Sequence, residues 1–233
     1  TVAGIVGTMQ ANEIIKKMWG NYGKILAEYT YIPSFRKRKL ENFLKIEGLE
    51  NLEKLKKIGK PVVFISGHFN NFELMAMIIE REGIDLCAIY RPLNNKFLNI
   101  VMEYLRKKYI CKYQIKKGLK GIKEALENFK KGKSLAIMID QRVTEGIDIK
   151  LFGKNAFTTT VPAQFVRKFG SVIQPVYIER VNNYHFKISF DEQLNFIEKE
   201  SSEMITEKLN KWLEGKIIKN PDQWIWTHNR WKH

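Results

Sequence analysis

Three short apolar runs, each too brief for a helix and each set among helical patterns, constrain this chain most. They are "PVVFIS" at 61–66, "IDLCAIY" at 84–90 and "SLAIMID" at 134–140. A continuously apolar, β-branched run of that length suits a strand buried on both faces of a parallel sheet. Around them the period changes. "ELMAMIIERE", "NKFLNIVMEYLRKKY" and "LKGIKEALENFKKG" carry the three- and four-residue spacing of helices. After a long segment at 140–160, "VPAQFVRKFG" reads as a helix, "VIQPVYIER" and "YHFKISF" as strands. "SSEMITEKLNKWLEGKI" reads as a helix with a Ser N-cap and Glu203 close behind it. Alternating strand and helix predicts an α/β domain with a mostly parallel central sheet flanked by helices.

The stretch before residue 61 is different. Residues 9–29 space Ile14, Met18, Ile25 and Leu26 as a helix does, until Pro33 and Ser34 break the pattern. "SFRKRKLENFLKIEG" follows as a basic amphipathic segment closed by Gly48, and "LENLEKLKKIG" as a short helix closed by Gly59. At 233 residues the chain fits a single domain, 1–233, with an N-terminal helical part at 1–60 and an α/β core at 61–233. Two cysteines, Cys87 and Cys111, make neither a disulfide framework nor a metal clip. Cys87, inside "LCAIY", reads as a small buried hydrophobe. No stretch approaches the roughly 18 to 20 apolar residues of a membrane-spanning helix. Thr1 is not an initiator methionine and "TVAGIVGTM" reads as cut from something longer, which leaves an upstream membrane anchor open.

Charge narrows the partners. Forty Lys and Arg stand against 25 Asp and Glu, a net charge of +15. That field attracts anionic partners over a Debye length of about 8 Å at physiological salt. Nucleic acid, an anionic membrane and an acidic protein all qualify. Nucleic acid is the weakest of these, since no helix-turn-helix, zinc-finger or RNA-recognition signature is present and the basic residues are dispersed.

Chemistry enters at "FISGHFNNFE", residues 64–73, where an apolar run stops at a glycine and His68 and Glu73 follow. In open α/β sheets ligands collect where strands end and helices begin. Within a regular helix a five-residue separation would turn the two side chains about 140° apart, so they can meet only if His68 precedes the helix. Gly67 and the two asparagines supply such a turn. A neutral imidazole can take the proton of an alcohol attacking a carbonyl, while a carboxylate on its other nitrogen fixes the tautomer. The plainer reading of Glu73 is helix capping: with Asn70 as N-cap, Glu73 has capping-box spacing.

Four further stretches accompany this one, in order: "YRPLNN" (90–95), "MIDQR" (138–142), "FGKNAFTTTVPAQFVRKFG" (152–170) and "NPDQWIWTHNRWK" (220–232). Together with "SGHFNNFE" they resemble the bacterial lipid A late acyltransferases, the lauroyl and myristoyl transferase family, from about residue 10 to the C-terminus. The resemblance implies an acyltransferase-like fold. It also implies transfer of a fatty acyl chain from acyl carrier protein, or from acyl-CoA, to a hydroxyl of a lipid A precursor. That work would be done at the cytoplasmic face of the bacterial inner membrane, with no metal or organic cofactor.

The family's histidine and acidic residue fall on His68 and Glu73, predicting a general base and its orienting carboxylate. Its Arg-Pro element falls on Arg91 and Pro92, with Asn94 and Asn95 following, and its Asp-Gln pair on Asp140 and Gln141. Arg91, Asn94, Asp140, Gln141, Thr159 and Arg230 are therefore the expected substrate-binding residues. Each has a duller alternative. Arg91 can be a solvent-facing loop residue, Asp140 a cap or salt-bridge partner, and Thr158 to Thr160 a helix N-cap. Trp224, Trp226 and Trp231 suit either a water–lipid boundary or burial against the core. The family often shows two basic residues after the tail histidine, whereas Asn229 takes the first place here.

The leading expectation is a lipid A secondary acyltransferase acting by direct attack. Its net charge suits an acidic carrier protein, a phosphorylated acceptor and the membrane surface, with basic segments such as "RKRK" (36–39) as peripheral contacts. The alternative within enzymes is acylation of another membrane glycolipid such as a phosphatidylinositol mannoside. Glycerol-phosphate-type acyltransferases are disfavoured, because their Pro-Glu-Gly run is absent. The distant alternative is a basic nucleic-acid-binding domain.

Overall fold

The computed structural model describes residues 2–197 and 199–232, with side chains from residue 7 onward. Among the described residues nine strands form: β1 (Leu44–Glu47), β2 (Val63–Ser66), β3 (Leu86–Tyr90), β4 (Tyr113–Lys116), β5 (Ser134–Met138), β6 (Ile147–Leu151), β7 (Lys154–Thr158), β8 (Ile173–Val181) and β9 (His185–Phe190). The α-helices are α1 (Val2–Glu28), α2 (Ile32–Arg36), α3 (Leu49–Ile58), α4 (Glu73–Arg81), α5 (Lys96–Leu105), α6 (Leu119–Lys130), α7 (Val161–Phe169) and α8 (Ser202–Lys219).

Seven strands build one sheet in the order β1-β9-β8-β2-β5-β3-β4, and β6 and β7 pair as a separate antiparallel hairpin. Every neighbouring pair in the large sheet is parallel except β8 with β9. The single α/β domain with a mostly parallel sheet is the expected architecture. All of β2 is buried, which is why its sequence shows no alternation.

Connection handedness distributes the helices. The steps β2–α4–β3 and β3–α5–β4 move one way across the sheet, whereas β4–α6–β5 and β5–α7–β8 move back. Because such crossovers are right-handed, α4 and α5 cover one face and α6 and α7 the other. Phe129 of α6 accordingly meets Phe165 and Phe169 of α7, with ring centroids 4.9 and 5.3 Å apart. Two adjacent strands, β2 and β5, send their chains to opposite faces, which makes their ends the switch point where open α/β sheets place a ligand crevice.

Several local expectations hold. Gly59 closes α3 in the left-handed conformation, φ 66°, its N–H on the carbonyls of Leu55 and Lys56. Ser201 caps α8 by accepting from the Met204 N–H. Others are corrected. The "LENFLKIEG" stretch contains β1, because pairing with β9 rewards Leu44 and Ile46 on an extended chain. "KYQIK" becomes β4 at the sheet edge, and the long segment at 140–160 folds into the β6–β7 hairpin around Phe152 and Gly153, both at positive φ. The capping box at Asn70 does not form, since α4 starts after Phe72 with no side-chain cap. Thr160 precedes α7 without a side-chain cap, and the Val161 N–H reaches the Thr159 hydroxyl instead.

Candidate active site

Parallel register assembles the site. Ser66 at the end of β2 is level with Met138 at the end of β5, and two residues beyond each come His68 and Asp140. The Asp140 carboxylate receives the His68 ring at Nδ1 (2.8 Å to Oδ1) and the His68 backbone N–H (2.8 Å to Oδ2). Gly67 makes the approach fit. A Cβ there would lie 2.9 Å from both Leu213 Cδ1 and Phe69 Cε2.

The chain leaving His68 is held by the C-terminal segment. Phe69 bridges Trp224 in antiparallel fashion, the Ile225 N–H donates to the His68 carbonyl (3.1 Å), and the Asn70 N–H donates to the Gln223 carbonyl (2.9 Å). Asn70 takes φ 42°, a region that asparagine tolerates better than most residues. Trp224 is buried, and its indole N–H donates 2.8 Å to Asp140 Oδ2. Trp226 and Trp231 turn their indole N–H groups to the carbonyls of Pro221 and Leu151. Of the two readings of these tryptophans, burial describes Trp224.

Asp140 is therefore buried, at 2% exposure, with both oxygens occupied. Burial alone would raise its carboxyl pKa. The His68 charge and the hydrogen bonds from His68 and Trp224 outweigh that and bring it down to about 2. An ionised carboxylate on Nδ1 keeps the proton there and leaves the Nε2 lone pair free to act as a base. The imidazole, at 17% side-chain exposure, is the member of the pair that solvent reaches. Its Nε2 lies 3.3 Å from the Gln141 amide nitrogen, which is also 2.8 Å from His228 Nε2. One amide carries two hydrogens and serves both rings. His228 is held below its ordinary value, first by desolvation and then by the charges of His68, Arg91 and Lys117, with Asp140 opposing. It stays neutral at neutral pH.

Glu73 lies elsewhere in the hydrogen-bond pattern. It is buried at the start of α4, where its Oε1 accepts from Tyr29 Oη (2.5 Å) and from Arg106 Nε and Nη2 (2.8 and 2.5 Å). Desolvation and the Glu73 charge raise the Tyr29 phenol. The expected His68–Glu73 contact is not what the structure brings together; the carboxylate on the imidazole is Asp140. Sequence reasoning placed Asp140 among the substrate-binding residues, orienting a basic residue or the acceptor sugar, and missed Trp224, Arg106 and Tyr29 as partners. The available signal was the equal offset of His68 and Asp140 from the ends of their two strands.

The remaining candidates divide. Arg91 is exposed at the end of β3, and the Lys117 N–H donates to the Tyr90 carbonyl (2.8 Å), so the ends of β3 and β4 set these cations beside His228. Lys117 is lowered, first by burial and then by Arg91. Asn94 is exposed beside Asn95, whose side chain caps α5. Arg230 is fully buried, donating to the Phe157 carbonyl (2.5 Å) and the Thr158 hydroxyl (2.6 Å). Burial pulls its guanidinium down to about 10, with Asp140 acting the other way. It fastens the C-terminal segment to β7 and has no open path to a ligand.

A cavity of about 370 Å³ lined by Leu55, Ile58, Phe129 and Phe169 lies at the opposite, N-terminal end of β2 and β8, away from this chemistry. Among the described residues no helix is long and apolar enough to cross a membrane. In the "RKRK" segment Arg36 pairs with Glu80 (2.9 Å) and Arg38 with Glu82 (2.9 Å), so half of it is engaged by α4 and the residue after it.

The fold and site define an α/β protein with a His–Asp pair at the C-terminal edge of a parallel sheet, edged by Arg91 and Lys117. Residues 3–233 match the family model described as bacterial lipid A biosynthesis acyltransferase. The chain is 20% identical over 224 residues to a lipid A biosynthesis acyltransferase of Haemophilus influenzae, covering 93% of this chain and 68% of that protein. It is 23% identical over 229 residues to the lipid A biosynthesis palmitoleoyltransferase of Escherichia coli, covering 96% and 72%. A lipid A biosynthesis acyltransferase of Shigella flexneri matches with the same identity and coverage. The chain belongs to the bacterial lipid A biosynthesis acyltransferase family, and it is an acyltransferase.

Proposed function

We propose that this enzyme moves a fatty acyl group from a thioester, carried on acyl carrier protein, to a hydroxyl of a lipid A precursor, with His68 as general base. The observation that carries the reading is the His68–Asp140 pair, 2.8 Å apart at the C-terminal edge of the sheet, with the charges of Arg91 and Lys117 close by. The acceptor hydroxyl takes the place of the Gln141 amide at Nε2. As its oxygen attacks the thioester carbon, its proton passes to Nε2 and the imidazolium is stabilised by Asp140. When the tetrahedral intermediate collapses, the carbon–sulfur bond breaks and the thiolate takes that proton. An ester and a thiol result.

The oxyanion needs donors that are free. The N–H groups of His68, Phe69, Asn70 and Phe72 are already spent on Asp140, Gly67, Gln223 and Asn70. With these four engaged, cations are assigned the role, and Arg91 and Lys117, whose charges act on His228, are the candidates. Arg91 and Asn94, with Gln141 and Thr159, act as acceptor and donor contacts. Glu73 acts by fixing the start of α4 behind the His68 turn. The setting is the cytoplasmic face of the inner membrane, where an acidic carrier protein and a phosphorylated lipid both favour a +15 chain.

The test is mass spectrometry of lipid A from a host lacking its own enzyme and given this one. The expected result is an added acyl mass, absent with His68→Ala. A folded His68→Ala protein that still adds the acyl group removes the mechanism. An unchanged lipid A with the wild-type chain removes the acceptor.

A further inference from the structure

Helix α5 presents its apolar side to solvent. Phe97 is 86% exposed and Ile100 68%, and Leu98, Val101 and Tyr104 are exposed with them. Positions 97, 100, 101 and 104 fall at three- and four-residue steps, which makes one stripe along the helix. Met102, on another side, is buried in the core, and Leu105 packs against it. The polar groups are turned away from the stripe: Glu103 accepts from the Tyr90 phenol (2.6 Å) and the Asn99 amide (2.8 Å).

Lysines frame both ends. Lys96 opens α5, and a π-helical turn at Arg106–Ile110 closes it with Lys107 and Lys108. Lys108 donates to the Tyr104 hydroxyl (2.7 Å) and lies 5.1 and 5.2 Å from the ring centres of Tyr104 and Tyr109. An apolar stripe bounded by aromatic rings and flexible cations matches the boundary between acyl chains and phosphates. The helix also sits where it matters. Its N-terminus follows the Arg91–Asn95 loop, and Arg106 at its other end grips Glu73 at the start of α4.

We propose that α5 lies in the surface of an anionic phospholipid bilayer, with Phe97, Leu98, Ile100, Val101 and Tyr104 among the acyl chains and Lys96, Lys107 and Lys108 at the phosphates. Charge complementarity selects the occupant: a cationic frame on a +15 chain fits anionic headgroups. An acidic soluble partner would satisfy the lysines and leave the exposure of Phe97 and Ile100 without a purpose. The inference rests on a lipid acceptor, and it names the surface that delivers the crevice to it.

The experiment is co-sedimentation of the full chain with vesicles of phosphatidylethanolamine containing about one part in four phosphatidylglycerol. Phe97→Asp with Ile100→Asp weakens vesicle partitioning at least about 30-fold, because each large apolar side chain withdrawn from water is worth about a factor of ten. Phe97→Ala alone weakens it about 5-fold or more. Both variants melt like wild type, as the replaced side chains are exposed, and both acylate detergent-dispersed acceptor at the wild-type rate. His68→Ala binds vesicles as wild type does, so a failed docking surface and a failed reaction are told apart. Vesicle binding by the double variant equal to wild type overturns the proposal. Loss of acyl carrier protein binding with vesicle binding intact also overturns it, and gives the helix to the donor instead.

Discussion

Two carboxylates stand within a few residues or one strand of His68, and their surroundings are opposite. Asp140 is buried but spends its oxygens on a histidine whose far nitrogen faces the crevice, so the ion pair ends in a reactive atom. Glu73 is buried and spends Oε1 on Arg106 and Tyr29, which lead back into the protein between the end of α1, α4 and the close of α5. One arrangement can relay a proton; the other can only hold helices. Five residues of sequence put Glu73 near His68, whereas 72 residues separate His68 from Asp140, and strand register overrides that distance.

The sharpest way to break this comparison is to remove each charge with the shape kept. Asp140→Asn is expected to lower turnover by about 10²- to 10⁴-fold at saturating substrate, since the amide no longer enforces the Nδ1–H tautomer or stabilises the imidazolium. Glu73→Gln should leave turnover per folded molecule within about 10-fold of wild type. Steady-state kinetics with detergent-dispersed acceptor reads both. Wild-type turnover in Asp140→Asn beside a collapse in stably folded Glu73→Gln would exchange the two roles.

Stability should rank the carboxylates the other way. Glu73→Ala leaves the Arg106 guanidinium buried without its counter-charge, a change that typically costs about 3 to 5 kcal/mol. Adding Arg106→Met should restore most of the loss, because the stranded charge goes with it. Urea unfolding of the single and double variants measures both. Equal loss in the two would mean that packing around α4, rather than the ion pair, carries the cost.

Much of the fold was readable because its signal is local. The continuous burial of β2 and the Ser201 cap are written in adjacent residues. Edge elements were not readable for the same reason. β4 has Tyr113 and Gln114 only half-buried, and β6 alternates half-buried and exposed positions until Leu151, so neither makes an apolar run. β4 is a strand because β3, more than twenty residues earlier, pairs with it, and β6 because β7 turns straight back onto it. In the site, the residues in play were visible as residue types at strand ends, but their pairing was not. His68 and Glu73 looked like partners through spacing, and only register reveals Asp140. Arg106 sat unnoticed because nothing in "YLRKKYI" distinguishes a buried arginine from a solvated one.

Acid offers the smallest effect and a direct reading of the Asp140 side of the comparison. Its carboxyl is brought from 3.8 to about 2 in the fold. A depressed carboxyl contributes stability that is fully present above its unfolded value and is lost as pH falls through the folded one. The contribution is about 2 kcal/mol, present above about pH 4 and disappearing towards pH 2. In His68→Ala the ring charge and its hydrogen bond are gone, while burial still raises the carboxyl against the backbone N–H, Trp224 and the more distant charges of Arg230 and Lys117. The acid limb of that variant should therefore begin at higher pH than in wild type. Urea midpoints followed downward from pH 7 measure the displacement. Superimposable acid limbs would mean that His68 does not hold the Asp140 charge, and the link between the buried carboxylate and the imidazole would be geometry without electrostatic coupling.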